Sequence, residues 1–197
     1  GDDYIFGVGG GGGGISNVGV MTIKSTTIQD NLGRPLGGGI MNVSGFVGES
    51  GKLTIISSTL QGNKNAKDDG STPNGVGGAL SNQGGLVSIK QSIISGNTAR
   101  EGGGVFNTNS AAGQGTISGS VSIIASLVDS NIGNGLSNKD AMEVRYSTIS
   151  NNKAQPFDTC TGGSGGCTNG ADGGGINNYG PGELTVENTA ITLNTAR

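Results

Sequence analysis

The stretch that decides the fold runs from Gly84 to Asn107: Gly-Gly-Leu86-Val87-Ser88-Ile89-Lys-Gln-Ser92-Ile93-Ile94-Ser-Gly-Asn97, then Thr-Ala-Arg-Glu-Gly102-Gly103-Gly104-Val105-Phe106-Asn107. Counted from Ile89, an apolar residue stands at −2, Ser at +3, an apolar residue at +5 and Asn at +8. A glycine run, an apolar residue and a second Asn follow. The zero, +3, +5 and +8 positions recur as Ile23, Thr26, Ile28, Asn31; Ile55, Ser58, Leu60, Asn63; Ile89, Ser92, Ile94, Asn97; Ile123, Ser126, Val128, Asn131; Val144, Ser147, Ile149, Asn152; and Val186, Thr189, Ile191, Asn194. The −2 position is Met21, Leu53, Val87, Val121, Met142 or Leu184, apolar in every copy.

Between these blocks lies a return signal of glycines, an apolar residue, any residue and Asn. It reads Ile15/Asn17, Ile40/Asn42, Leu80/Asn82, Val105/Asn107, Leu136/Asn138 and Ile176/Asn178, with separations of 25, 40, 25, 31 and 40 residues. The unit is therefore about two dozen residues with insertions, which fall at two places. One lies after the return Asn, as in Val43–Lys52 and Thr108–Ser120; the other lies after the +8 Asn, as in Lys64–Val76 and Lys153–Asp172. Extra residues confined to fixed corners are the mark of a solenoid. Each apolar segment is too short for a helix and alternates with period two, so it reads as a strand. Three short strands per coil, each lying parallel on the next coil, predict an all-β, right-handed parallel β-helix of about six coils with insertion loops at two corners. The whole chain, 1–197, is expected to form this single domain, with 1–14 a glycine-rich lead-in holding a short apolar cluster at Tyr4–Phe6 and 153–172 a cysteine-containing insertion.

In such a stack the repeated asparagines lie one strand spacing apart, about 4.8 Å. Each side-chain amide can donate to one neighbour and accept from the other, forming a ladder that satisfies corner backbone groups otherwise buried and unpaired. Two ladders are predicted: Asn17, Asn42, Asn82, Asn107, Asn138, Asn178 and Asn31, Asn63, Asn97, Asn131, Asn152, Asn194. The Ser or Thr at +3 is small enough for a tight coil, and its hydroxyl can bond a nearby carbonyl. The apolar side chains of one coil do not offset the entropy of ordering it, so each coil depends on its neighbours.

Composition narrows the function. Glycine supplies 42 residues without the three-residue period of collagen. The formal charge is −3 with no block of Lys or Arg, which argues against nucleic acid as a partner. No apolar run is long enough for membrane insertion. The chain opens without a basic-then-apolar leader and reads as a mature form or an excised fragment. Cys160 and Cys167 flank a Gly-Gly-Ser-Gly-Gly loop, a spacing that permits a small disulfide, with two free thiols the alternative. A disulfide would favour an extracytoplasmic setting.

The alternation of Gly-Gly-(Gly/Ala)-apolar-x-Asn with apolar-x-x-Ser/Thr-x-apolar-x-x-Asn resembles the repeats of polymorphic outer-membrane proteins and related bacterial surface β-helices, from Gly12 to Asn194. The resemblance implies a secreted or surface-displayed passenger used in adhesion or surface architecture. Pectin-cleaving lyases and many glycosidases share the fold, yet glycoside hydrolysis needs a close carboxylate pair. Asp30, Asp129, Asp140, Glu143, Glu183 and Glu187 are scattered over different repeat positions, and there is no histidine to act as general base. Only Glu143 and Glu187, at −1 and +1 of adjacent repeats, are placed to approach one another, on an outer face. Asp68-Asp69 offers at most a casual cation contact. The −1 rank of Thr22, Thr54, Ser88, Ser122 and Thr185 is interrupted by Glu143 and lacks the second threonine rank of an ice-binding face. No cofactor is expected. The final Asn194-Thr-Ala-Arg197 matches Asn97-Thr-Ala-Arg100 inside the third repeat, so the chain stops in mid-coil. The expectation is therefore a non-enzymatic extracellular or cell-surface structural protein, associating head to tail into a fibre or stalk. The alternative is an adhesion module that binds a surface glycan or protein through its insertion loops, and a polysaccharide lyase or glycosidase stands last.

Overall fold

A computed structural model describes residues 11–34, 36–44, 51–66, 75–112, 115–154 and 173–196. Coil 1 holds β1 (Ile15–Asn17), β2 (Val20–Lys24), β3 (Thr27–Gln29) and the short β4 (Leu32–Gly33). Coil 2 holds β5 (Ile40–Val43), β6 (Lys52–Ile56), β7 (Thr59–Gln61) and β8 (Lys64–Asn65). Coil 3 is β9 (Leu80–Gln83), β10 (Leu86–Lys90) and β11 (Ile93–Ser95). Coil 4 is β12 (Val105–Thr108), a hairpin of β13 (Ser110–Ala112) and β14 (Gly115–Ile117), then β15 (Ser120–Ile124) and β16 (Leu127–Asp129). Coil 5 is β17 (Leu136–Asn138), β18 (Ala141–Arg145) and β19 (Thr148–Ser150); coil 6 is β20 (Ile176–Asn178), β21 (Glu183–Glu187) and β22 (Ala190–Thr192).

Corresponding strands of successive coils pair in parallel, giving three six-stranded sheets: β1-β5-β9-β12-β17-β20, β2-β6-β10-β15-β18-β21 and β3-β7-β11-β16-β19-β22. The fold is a parallel β-helix of six coils. Register puts like on like. Ile15, Ile40, Leu80, Val105, Leu136 and Ile176 form one column. Ile23, Ile55, Ile89, Ile123, Val144 and Val186 form another. Ile28, Leu60, Ile94, Val128, Ile149 and Ile191 form a third. Together with the −2 column they make one continuous core. A slip of one residue would turn a whole column to solvent, which pins the pairing.

The structure adds features to the three-sided plan. A fourth, one-residue-wide column of parallel bridges follows the +8 Asn, joining Lys64, Thr98, Ile132, Lys153 and Thr195. Within the Thr108–Ser120 insertion β13 and β14 pair antiparallel, so that loop is a hairpin. In coils 2 to 5 the outward residues of the first sheet, Met41, Ser81, Phe106 and Ser137, are buried, so there this face, unlike the other two, is shielded from solvent.

Two of the corners are turned by left-handed residues. The +3 Ser lies in a turn, not in a strand, and the residue before it is left-handed in every coil: Ser25, Ser57, Gln91, Ala125, Tyr146 and Asn188 have φ between 47 and 51°. The +7 residue does the same, at Asp30, Gly62, Gly96, Ser130, Asn151 and Leu193. An L-residue in this region costs roughly 1–2 kcal/mol, partly offset against glycine's larger entropy loss. Gln91→Gly and Tyr146→Gly, both on exposed turns, are therefore expected to raise stability by about 0.5–1 kcal/mol each in chemical denaturation. The same change at Ile93, in a strand, is expected to lower it.

Candidate functional site

The repeated asparagines form the two ladders. In the first, the Nδ2 of Asn17, Asn42, Asn82, Asn107 and Asn138 donates to the Oδ1 of the next member at 2.7, 2.8, 2.8, 2.9 and 2.8 Å, ending on Asn178. Each Nδ2 also donates to a carbonyl of the chain leading into the next strand: Gly19, Gly51, Gly85, Gly119, Asp140 and Gly182. In the second, Asn31, Asn63, Asn97, Asn131 and Asn152 donate to the following Oδ1 at 2.9–3.0 Å, ending on Asn194. There the Oδ1 also accepts the backbone N–H of the preceding asparagine. The second Nδ2 hydrogen goes back to Ile28, Leu60, Ile94, Val128 or Ile149 O.

The +3 hydroxyls make a third ladder. Backbone N–H groups of Thr26, Ser58, Ser92, Ser126 and Ser147 donate to the hydroxyl one coil on, at 3.1–3.3 Å. Ser58, Ser92, Ser126 and Ser147 Oγ in turn donate to the carbonyl two residues earlier.

The ladders have a direction. Every asparagine–asparagine bond of the two ladders runs with its donor on the earlier coil and its acceptor on the later one. At the coil 1 end, Asn17 and Asn31 present Oδ1 atoms that accept from no described residue. At the coil 6 end, Asn178 and Asn194 each keep one N–H beyond their bonds to Gly182 O and Ile149 O. The ends also differ in cover. Ile23 and Ile28 are 7% exposed, whereas their column partners Val186 and Ile191 are 37% and 50% exposed.

Among the described residues no group of three acidic side chains gathers as a metal site would. Arg145 bridges Glu143 and Glu187, making an ion pair with Glu143 and another with Glu187 at 3.3 Å. Asp129 accepts from Ser150 and Ser130 hydroxyls and from Asn151 Nδ2. Those bonds, Ser150's first, hold its carboxyl below the usual range. Asp140 Oδ2 takes the Gly119 N–H at 2.6 Å. One grouping was not foreseen from the sequence: Lys139 Nζ lies 5.2 Å from the Phe106 ring centroid, 4.5 Å from that of Tyr179 and 3.8 Å from Glu101 Oε2. Its members come from neighbouring coils, and only the register of β12, β17 and β20 could have brought them together. Cys160, Cys167 and Asp68-Asp69 lie outside the described residues, as do Tyr4–Phe6 and most of the Val43–Lys52, Lys64–Val76 and Lys153–Asp172 insertions.

No protein-family description, curated protein or solved structure matches this chain.

Proposed function

We propose that the chain is a non-enzymatic structural β-helix, a subunit or segment that stacks end to end into an extracellular or cell-surface fibre or stalk. The observation that carries this reading is the common direction of the ladders. A further coil laid on coil 6 in the same sense gives Asn178 and Asn194 the acceptors that each earlier asparagine already has, and covers Val186 and Ile191. A coil laid head to head would set Oδ1 against Oδ1 at the other end, leaving buried acceptors without donors. Assembly is therefore polar, with Asn178 donating to Asn17 and Asn194 to Asn31 of the next copy. The likeness of the Gly-Gly-x-apolar-x-Asn repeats to polymorphic outer-membrane proteins supports the surface location. Arg145, held between Glu143 and Glu187, and the lack of histidine support a reading without hydrolytic chemistry.

Cryo-electron microscopy of the purified chain is expected to show unbranched filaments with a continuous repeat of about 4.8 Å along their length. Val186→Lys with Ile191→Lys, both already partly solvated, should leave single rods and an unchanged circular dichroism spectrum. Discrete rods of about 30 Å from the unmodified chain at every concentration would overturn the proposal.

An adhesion role is the second reading, favoured by the β13–β14 hairpin, which leaves the coil at an insertion corner. It expects deletion of the hairpin to spare filaments while abolishing attachment to a surface glycan or protein.

A further inference from the structure

The outward face of the second sheet carries its charges in two blocks. Its N-terminal half holds exposed Lys24 and Lys52 on β2 and β6 and Lys90 on β10. Its C-terminal half holds Glu143 on β18 and exposed Glu183 and Glu187 on β21, with Arg145 engaged by Glu143 and Glu187. Between the blocks Leu86 is 46% exposed and borders a shallow depression of about 100 Å³, shared with Lys52, Thr54, Ser88 and Ser120.

We infer that this face binds a second copy of the same chain side by side, with the two solenoid axes antiparallel. The inference does not rest on end-to-end stacking. A two-fold axis parallel to the strands, passing between coils 3 and 4, sets coil 1 over coil 6, coil 2 over coil 5 and coil 3 over coil 4. The strand register then carries the chemistry across. Lys24 and Glu187 occupy the same column, so each faces the other on the partner. Lys52 and Glu183 also share a column and lie one coil apart after the rotation. Leu86 comes down on the partner's Ser120, at the mouth of the depression, and the two Leu86 side chains meet beside the axis. The other two-fold, along the solenoid, would place each coil over itself, the lysine half against the lysine half and Glu183 against Glu187. Only the antiparallel pair is complementary.

The face is about 29 Å by 17 Å, six strand spacings by five residues. That is smaller than the roughly 800 Å² per partner of a standard interface. The dimer is accordingly weak and salt-sensitive.

Sedimentation and small-angle scattering of the full chain carrying Val186→Lys with Ile191→Lys, which keeps the rods single, test this. At about 20 mM salt a concentration-dependent dimer is expected whose greatest dimension stays near that of one rod, with a dissociation constant rising on the order of tenfold by about 300 mM salt. Lys24→Glu with Lys52→Glu makes the face uniformly acidic at its ends, and Glu183→Lys with Glu187→Lys makes it uniformly basic. Each variant alone should be monomeric, and an equimolar mixture should dimerise. Leu86→Asp should abolish the dimer with the circular dichroism unchanged. A monomer at all concentrations, a dimer of doubled length, or a mixture no tighter than either variant would overturn the inference. So would retention of heparin by the lysines without dimer formation.

Discussion

Replacing Asn97 by alanine is expected to destabilise the chain by about 4 kcal/mol, near the top of the range for a single substitution. Asn97 is fully buried. Its Nδ2 donates to Asn131 Oδ1 and Leu60 O, both at 3.0 Å, and its Oδ1 accepts from Asn63 N and Nδ2 at 2.9 and 3.0 Å. Alanine leaves all four partners without it inside a corner that water does not reach. Each orphaned group costs roughly 1–3 kcal/mol, reduced where the neighbours can relax. The same substitution at Asn194 removes only the last rung, where solvent replaces part of what is lost, and is expected to cost about 1 kcal/mol. Urea denaturation of the two variants measures the difference. Equal losses would mean that the interior rungs are not specially bonded.

Gly78→Ala is expected to cost about 3 kcal/mol, and Gly39→Ala about 1. Both belong to the glycine run, but their surroundings differ. A Cβ on Gly78 would lie well inside contact distance of Gly103 O and 2.8 Å from Thr98 N, both backbone atoms of the next coil. A Cβ on Gly39 would meet Ala79 O at 2.8 Å and the Asn63 side chain at 3.0 Å. The chain tolerates a methyl group at that level: Ala79 stands just before Leu80 as Gly39 stands before its register partner Ile40, and Ala79 is buried in the core. At the level of Gly78 a side chain is accepted only in coil 5, where Asn134 adopts φ 71° and donates its Nδ2 to Gly173 O. The run is glycine because adjacent coils approach too closely there for a side chain. Thermal denaturation of the two alanine variants decides this; comparable melting temperatures would contradict it.

The columns of Ile, Leu and Val were legible because they face inward in every coil, so register and burial act on the same residues. The ladders were legible for the same reason, since an amide repeated at one corner has its own counterpart as nearest neighbour. The left-handed turn at +2 was not. Ser25, Ser57, Gln91, Ala125 and Tyr146 share no local preference that announces it. Their backbone N–H groups instead donate to Ile56, Lys90, Ile124, Arg145 and Glu187 O of the next coil, so contacts between coils set the conformation. The β13–β14 hairpin hid in Ser110-Ala-Ala112 and Gly115-Thr-Ile117, which carry little strand signal of their own. The direction of the ladders could not be read at all, because an asparagine in a sequence does not say which way its amide points.

The most direct test of the account is side-chain amide hydrogen exchange, followed by NMR on asparagine labelled with ¹⁵N. The Nδ2 protons of Asn42, Asn82, Asn107, Asn138, Asn63, Asn97, Asn131 and Asn152 should exchange only by global unfolding. Those of Asn178 and Asn194 should exchange fast in single rods and slow sharply on assembly. Rapid exchange at the interior asparagines would remove the ladders, and with them the reason for one coil to lie on the next in a fixed direction.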